Sequence, residues 1–477
     1  MPAMRLWMDV MRHLEPVMAD HERLFDAWEA GGVDGLVIGP MAFEDKTFTF
    51  DPHPEVYARF GLQPPGTGDG SSLWWPAPAT ASGQGSPAAA AVREKRALLE
   101  RTLQRAKDRG WQVWLFCPHY GAAGRGSLLV DDLTRAAVAA RLIDCMEHYP
   151  MADGAVLDGP EWGYEIAPFH QDHRSYIFHD LPPECAPEAA RLGYDYERLV
   201  AAKDRLFDRL HRLTDNDLRI WGGGAGGFLG AFGLLGHDPA LAEWLAFRMD
   251  SVTETYRRLR ELVQSHARRS IRLAAGPRAP AWAPLCGYDY ARLESCVDVL
   301  LPKLYFWHRG FDGLYGTVAR YVQTLTAWNP GLSERGALRF VTALFGIDLP
   351  GIGALRDFDL GFPQAFFDHI VTRETERAIA AMGDPERVCP WVDAGRKPHD
   401  GEPFTAHDLD RLLEAAQTTG LRRFLYHHHG NLTPGEWAVI TARCGQPWQH
   451  TTTPRSWLSG PQPEALPGYY PPDQPVL

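Results

Sequence analysis

Three carboxylates crowd the short stretch VLDGPEWGYEI, residues 156–166. An apolar run ends at Asp158, and Glu161 and Glu165 follow shortly after it. Paired carboxyl groups can carry out general acid and base chemistry, because one donates a proton while another, ionised, stabilises positive charge or activates water. The stretch therefore predicts catalytic carboxylates at the rim of a barrel. The plainer alternative is a polar loop.

Polar side chains also follow several other apolar runs of the chain. In a barrel of parallel strands, residues at the carboxyl ends of the strands converge on one face, where active sites are built. Carboxylates dominate this set, which favours acid and base chemistry over phosphate binding. The residues are Asp9, His119, Tyr120, Asp158, Glu161, Glu165, Arg278, Lys303, Tyr305, His308, Asp393, His427, His428 and His429.

Short apolar runs alternate with long amphipathic stretches almost from end to end, which predicts βα units and a parallel sheet. There is one run more than an eight-stranded barrel needs. We exclude 338–346, because 388–395 and 422–430 flank a well-formed helix as a final strand pair should. The fold class is thus predicted to be α/β, a (β/α)8 TIM barrel. The remaining runs are 6–10, 35–40, 113–118, 154–159, 271–277, 297–305, 388–395 and 422–430.

Helices are predicted wherever apolar residues recur with a period of 3.6. The helix from 405 begins at Thr405 with Asp408 three residues on, which is a variant of the capping box. The predicted helices are 19–30, 91–109, 131–148, 195–213, 240–267, 312–328, 364–382 and 405–418.

Two long interruptions follow the second and fourth strands, at about 41–90 and 160–239. Each follows a strand and precedes its helix, so we expect both insertions on the carboxyl-terminal face of the barrel. The barrel with its insertions is predicted to occupy residues 1–445. Residues 446–477 are rich in proline and are predicted to form an irregular tail.

A glycine-rich run in the second insertion matches the spacing GxGxxG at Gly222, Gly224 and Gly227. A dinucleotide site would need a long helix opening on the third glycine and an acidic residue after a second strand. Here more glycines follow, so the run favours a loop that lines the mouth.

The composition is that of a globular protein, with 45% hydrophobic and 23% charged residues. A net charge of -12 without a basic cluster argues against nucleic acid or a membrane as partner and fits a neutral substrate. No export signal or run of eighteen apolar residues is visible. The seven cysteines are scattered, which favours reduced thiols in a cytoplasmic protein. A homo-oligomer is compatible with the sequence.

The strand-four ending LDGPEWGYE, the helix at 244–263, the strand VDVLLPKLYFW and the late segments PWVDAG and YHHHGN carry a resemblance at the level of pattern. Over about 5–445 the chain resembles the glycoside-hydrolase type of TIM barrel, and is most similar to the uncharacterised "hypothetical glycosyl hydrolase" barrels, which are clan A-like. In clan A the acid/base glutamate follows strand four and the nucleophile ends strand seven. The resemblance implies Glu161 as acid/base and Asp393 as nucleophile or base. Two features depart from the pattern: Gly-Pro precedes Glu161 where those families have asparagine, and position 393 is aspartate where they use glutamate.

Glycoside hydrolysis needs one protonated and one ionised carboxyl group. Pro160 and Trp162 flank Glu161 with apolar side chains, a setting that favours the protonated form of a carboxyl group. Asp393 precedes Ala-Gly at a tight strand exit, which suits an ionised base or nucleophile. Asp158 is a rival acid, since it lies closer to the strand, and an Asp-x-x-Glu pair is also similar to substrate-assisted enzymes. Glu165 is the least favoured of the three.

A carbohydrate substrate would be held by hydrogen bonds to its hydroxyls and by aromatic faces. The chain has 16 tryptophans, although core packing is their more common use. On an extended strand His427 and His429 would point to one face. The predicted substrate-binding residues are Asp9, His119, Tyr120, Trp162, Arg278, Lys303, Tyr305, Trp307, His308, Trp391, His427 and His429.

Two alternatives to a glycosidase stay open. A metal-dependent isomerase, aldolase or hydrolase on the same barrel would bind its ion through His427 or His429 with carboxylates. A carbohydrate-binding barrel without catalysis would use the same rim. The favoured interpretation needs neither metal nor cofactor. It leaves the sugar, its anomeric form, the choice between exo and endo action and the choice between retention and inversion open.

Overall fold

The structure is a computed structural model of the 477-residue chain. It describes residues 3–10, 14–38, 52–64, 87–116, 125–166, 176–221, 227–304, 313–361, 363–392, 405–427 and 429–448.

Eight parallel strands form one sheet in the order β6-β5-β4-β3-β2-β1-β8-β7. The two edge strands also meet, because Leu300 pairs with Val388 and Lys303 with Trp391 in parallel bridges. The sheet therefore closes on itself, and the fold is a (β/α)8 barrel. The strands are β1 Arg5–Val10, β2 Val33–Ile38, β3 Gln112–Phe116, β4 Gly154–Leu157, β5 Arg272–Ala275, β6 Val299–Leu300, β7 Trp391–Val392 and β8 Arg423–Tyr426.

Helices surround the barrel, and several short 3-10 turns join them. A π-helical turn, Phe367–Val371, lies between the helices Gln364–Phe366 and Thr372–Met382. The α-helices are α1 Leu14–Ala19, α2 His21–Ala30, α3 Pro54–Ala58, α4 Pro87–Asp108, α5 Arg125–Val130, α6 Asp132–His148, α7 Ala186–Arg191, α8 Tyr196–Leu210, α9 Asp215–Trp221, α10 Gly227–Leu234, α11 Pro239–His266, α12 Tyr290–Leu293, α13 Leu314–Trp328, α14 Glu334–Phe345, α15 Gln364–Phe366, α16 Thr372–Met382, α17 Ala406–Thr418 and α18 Pro434–Cys444. The 3-10 turns are Pro183–Cys185, Ala283–Cys286, Leu355–Leu360, Pro385–Arg387 and His429–Asn431.

The run that we excluded from the barrel, 338–346, lies in helix α14, which begins after the N-cap Ser333. Its exclusion is confirmed, and each of the eight remaining apolar runs overlaps a barrel strand. The capping box at Thr405 is also confirmed, since its hydroxyl accepts from the Asp408 N–H and donates to the Asp408 carboxylate at 2.6 Å. Local patterning thus determines most of this architecture.

Large side chains fill the barrel interior, and glycines on neighbouring strands make room for them. Trp7 of β1 lies beside Gly35 of β2, and Trp114 of β3 lies beside Gly154 of β4. At Gly35 and Gly154 an added Cβ would collide with the neighbouring indole. The barrel is therefore a packed core, and a substrate can reach it only at its mouth.

Between β4 and α11 the structure describes a 3-10 turn and the helices α7 to α10. This stretch falls within the insertion predicted at 160–239. Of the insertion predicted at 41–90, the structure describes 52–64 and 87–90. The segment 52–64 contacts the ends of α6 and α11 through Arg59–Glu147 and Phe60–His266, so it lies on the face opposite the one that we predicted. The tail from 449 lies outside the described residues. Among the helices that the structure describes, none has the length and apolar character needed to cross a bilayer.

Candidate functional site

Five of the predicted site residues form a continuous series of contacts across the barrel mouth. We call Asp9, Asp158, Lys303, Trp391 and His427 the mouth arc. They lie in or just after strands β1, β4, β6, β7 and β8, in that order. The convergence expected from their strand-end positions is therefore what the fold produces.

Asp158 and Lys303 form an ion pair at one end of the mouth arc. The Lys303 Nζ lies 2.6 Å from Asp158 Oδ1, and the Asp158 side chain keeps 16% of its surface exposed. Burial raises the pKa of Asp158, but the charges of Lys303 and Arg278 outweigh it and bring the pKa below its ordinary value. Asp158 is therefore ionised at neutral pH, which fits a base, nucleophile or charge stabiliser and not a proton donor.

The depressed pKa gives the Asp158 ion pair a defined pH dependence. A carboxyl group whose pKa is lower in the folded state stabilises the fold above its unfolded pKa, and the contribution is lost as pH falls through the folded value. We expect urea unfolding to show a constant stability difference between wild type and Asp158→Asn near neutral pH. That difference should shrink only below the ordinary pKa of 3.8. A difference that vanishes at clearly higher pH would contradict a lowered pKa.

The rest of the mouth arc is aromatic and ends in a second carboxylate, which pairs with a histidine. Lys303 Nζ lies 5.3 Å from the centroid of the Trp391 ring, and the His427 ring stacks on Trp391 with centroids 5.2 Å apart. His427 Nδ1 lies 2.5 Å from Asp9 Oδ2. A carboxylate at Nδ1 fixes the imidazole orientation and favours a proton on that nitrogen. Asp9 thus positions His427.

Glu161, the predicted acid/base, is held by Arg278. The Arg278 Nε donates to both Glu161 oxygens at 3.0 Å, and its Nη2 also donates to Oε1. Glu161 is 3% exposed and Arg278 is fully buried. Burial lowers the pKa of Arg278, but the charge of Glu161 outweighs it, and the pKa lies well above its ordinary value.

The side chain of Glu161 does not lie in the apolar surroundings that its neighbours Pro160 and Trp162 predicted. A guanidinium faces the carboxylate, and a nearby positive charge favours the ionised form. The partner is Arg278, which follows β5, and sequence proximity gave no sign of it. As placed here, Glu161 is better suited to positioning Arg278 than to donating a proton.

Glu165 is also buried against an arginine. Arg320 of α13 donates through Nε at 3.1 Å and through Nη2 at 2.5 Å to Glu165 Oε1, and both side chains are almost inaccessible. The Thr317 hydroxyl also accepts a hydrogen bond from Arg320 Nη2, at 3.2 Å. The pair ties the loop after β4 to the outer helices, which agrees with the low rank of Glu165 among the candidate catalysts.

Trp162 lies in the core, at 2% exposure. Its Nε1 donates to Ser251 Oγ at 2.8 Å, and its ring packs against Phe247 with centroids 5.8 Å apart. Both partners belong to α11, on the outside of the barrel. Trp162 therefore packs in the core and does not line the mouth as predicted, whereas Trp391 lies within the mouth arc.

His429 departs from the strand geometry expected of the triple histidine. Strand β8 ends at Tyr426, and His429 begins a 3-10 turn, so the alternation of an extended strand does not apply to it. Its ring lies 6.1 Å from that of Trp28 in α2, an outer helix. Within the described part of the chain, neither His427 nor His429 belongs to a group of three side chains spaced for a metal.

Several predicted site residues lie outside the described residues. They are His119, Tyr120, Tyr305, Trp307, His308 and Asp393.

No family model matches the chain, and no curated protein matches it either. Solved structures do match along most of its length. One is the PgaB (BpsB) glycoside hydrolase domain from Bordetella bronchiseptica, with 12% identity, a TM-score of 0.45 and coverage of 92% of this chain and 99% of that one. Another is the catalytic domain of beta-amylase from Paenibacillus polymyxa, with 8% identity, a TM-score of 0.42 and coverage of 93% and 99%.

A class V chitinase from Pseudomonas fluorescens Pf-5 also matches, with 10% identity, a TM-score of 0.40 and coverage of 92% of this chain and 99% of that one. The chain is thus similar to barrels of the glycoside-hydrolase type. At these identities the likeness concerns the fold, and the activities in those names belong to those proteins.

Proposed function

We propose that the barrel mouth hydrolyses a glycosidic bond, with Asp158 as its ionised carboxylate. The observation that supports this is the Asp158–Lys303 pair at the end of β4, where the lysine holds the carboxylate ionised beside a partly open mouth. Glycosidic bond cleavage passes through an oxocarbenium-like transition state. A fixed negative charge stabilises the positive charge that develops on the sugar ring.

Asp393 remains our candidate for the second carboxylate. It follows β7 directly in the sequence, and β7 lies three strands from β4 around the barrel. A glycosidase needs one ionised and one protonated carboxyl group across the scissile bond, so with Asp158 ionised this proposal assigns protonation of the leaving oxygen to Asp393. Glu161 has a different role in this proposal and transfers no proton. It holds Arg278, whose charge helps to keep Asp158 ionised.

The remaining mouth arc would recognise the sugar. Trp391 and His427 present a stacked aromatic pair, and Asp9 holds the imidazole in one orientation. Sugars are bound by aromatic faces together with a few oriented hydrogen-bonding groups. A neutral carbohydrate also fits a chain whose net charge is -12.

The test is a panel of aryl α- and β-glycosides and oligosaccharides, including N-acetylated ones, incubated with the purified full chain. We expect release of sugar from at least one member, unaffected by EDTA and lost in Asp158→Asn. Saturable sugar binding without hydrolysis across the panel would overturn the proposal in favour of a binding barrel. Turnover that stops with EDTA while circular dichroism shows the fold unchanged would overturn it in favour of a metal-dependent enzyme.

A further inference from the structure

A second cluster of chemically capable side chains lies away from the mouth. His53 directly precedes α3, and Asp144 and His148 lie one turn apart near the end of α6. Barrel helices run opposite to the strands, so the end of α6 belongs to the face opposite the mouth. The cluster is therefore separate from the mouth arc.

The three side chains converge on one point. His53 Nδ1 lies 3.1 Å and His148 Nε2 lies 3.5 Å from the same oxygen, Asp144 Oδ1. One ligand atom from each residue lies within 4.8 Å of the other two. Ligands of a tetrahedral Zn²⁺ lie roughly 3.3 Å apart when their distances to the metal are about 2.0–2.1 Å. The observed separations from Asp144 fall on both sides of that value.

The carboxylate of this cluster is fully buried, whereas most carboxylates are exposed. The His53 backbone N–H also donates to Asp144 Oδ1, at 3.1 Å. The Arg141 Nη1 lies 3.6 Å from the other oxygen, Oδ2. Oδ1 is therefore the carboxylate oxygen that lies nearest both imidazoles.

The two imidazole rings are stacked, with centroids 3.9 Å apart and planes at 6°. The His53 Nδ1 is buried and makes no hydrogen bond to any residue that the structure describes, in spite of its contact with Asp144. A buried ring nitrogen without a hydrogen bond is suited to a metal ligand.

We propose that His53, Asp144 and His148 bind a divalent transition metal ion, with Zn²⁺ the best match. Two imidazole nitrogens and one carboxylate oxygen are a ligand set that Zn²⁺ accepts in tetrahedral geometry, with a water molecule completing the coordination. His148 follows Asp144 by four residues, the spacing that puts both side chains on one face of a helix.

The site would fasten the segment 52–64 to the outer helices. That segment already contacts them, since Arg59 Nη1 lies 2.8 Å from Glu147 Oε1 and Phe60 stacks on His266 with centroids 4.2 Å apart. A metal shared by His53 and α6 adds a bond that exists only in the folded chain. Binding to the folded state alone stabilises that state in proportion to the logarithm of metal concentration.

The experiment uses the full chain, treated with chelator and dialysed, then titrated with Zn²⁺ in a calorimeter and with Co²⁺ in a spectrophotometer. We expect one tight equivalent, a rise in Tm, and the visible absorption of four-coordinate Co²⁺ without the near-ultraviolet band of thiolate ligation. In His53→Gln and His148→Gln the affinity should fall by more than about 100-fold, because each removes a direct ligand. His53 is half-exposed, so its variant is expected to fold.

His266→Gln is the matched control, because this histidine touches the same segment without belonging to the cluster. It should bind Zn²⁺ as the wild type does. Wild-type binding no tighter than that of both glutamine variants would overturn the proposal, as would an equal loss in His266→Gln. Because calorimetry requires no turnover, these outcomes are independent of whether the mouth hydrolyses glycosides.

Discussion

Asparagine in place of Asp158 is expected to lower kcat by about 10³-fold, with a much smaller change in KM. The substitution keeps the shape of the side chain and removes its charge, so ground-state contacts with the sugar change little. What is lost is the negative charge beside the developing oxocarbenium ion. The measurement is steady-state kinetics on whichever glycoside the panel identifies.

Lys303→Met is the informative companion to Asp158→Asn. It keeps the carboxylate but removes the ammonium that lies 2.6 Å from it and lowers its pKa. We expect Lys303→Met to retain activity at high pH and to lose it at a higher pH than the wild type does as the solution is acidified. Activity of Asp158→Asn within tenfold of the wild type would remove Asp158 from the mechanism.

The sequence was sufficient for the barrel because its signals are local. Each strand is a short apolar run and each helix has its own period and caps, so the element at 405–418 could be placed to within a residue. Strand-end positions then brought Asp9, Asp158, Lys303 and His427 to one mouth. We excluded 338–346 because 388–395 and 422–430 already formed the final strand pair, and helix α14 at that position confirms the exclusion.

Side-chain partners could not be predicted in the same way, because they depend on how distant strands align. Glu161 and Arg278 are 117 positions apart, and only the closed barrel brings them together. The cluster of His53 and Asp144 joins residues 91 positions apart. The single local sign of that cluster was the four-residue spacing of Asp144 and His148 on a helix. His429 was misplaced because the run predicted as a strand, 422–430, forms a strand only to Tyr426, four residues short of its predicted end.

Glutamine in place of Glu161 is expected to destabilise the fold by about 3–5 kcal/mol. The substitution leaves the fully buried guanidinium of Arg278 facing a neutral amide, and the charge loses the bidentate partner that offset its desolvation. Chemical denaturation monitored by circular dichroism measures the change. Glu243→Gln is the control, because the Arg198–Glu243 pair has similar geometry but is exposed, and its loss should have a far smaller effect.

The double variant Glu161→Met with Arg278→Met separates the two roles that Glu161 could have. Replacing both charges by apolar side chains of similar length is often neutral for stability, so most of the loss should be recovered. If Glu161 only positions Arg278, part of the glycosidase activity should return with the fold. If Glu161 were the proton donor, Glu161→Gln would fold normally and bind sugar without turnover, and the double variant would be inactive however stable it was. Stability and kcat measured on the same two variants therefore decide whether the carboxyl group of Glu161 transfers a proton or only holds Arg278 in place.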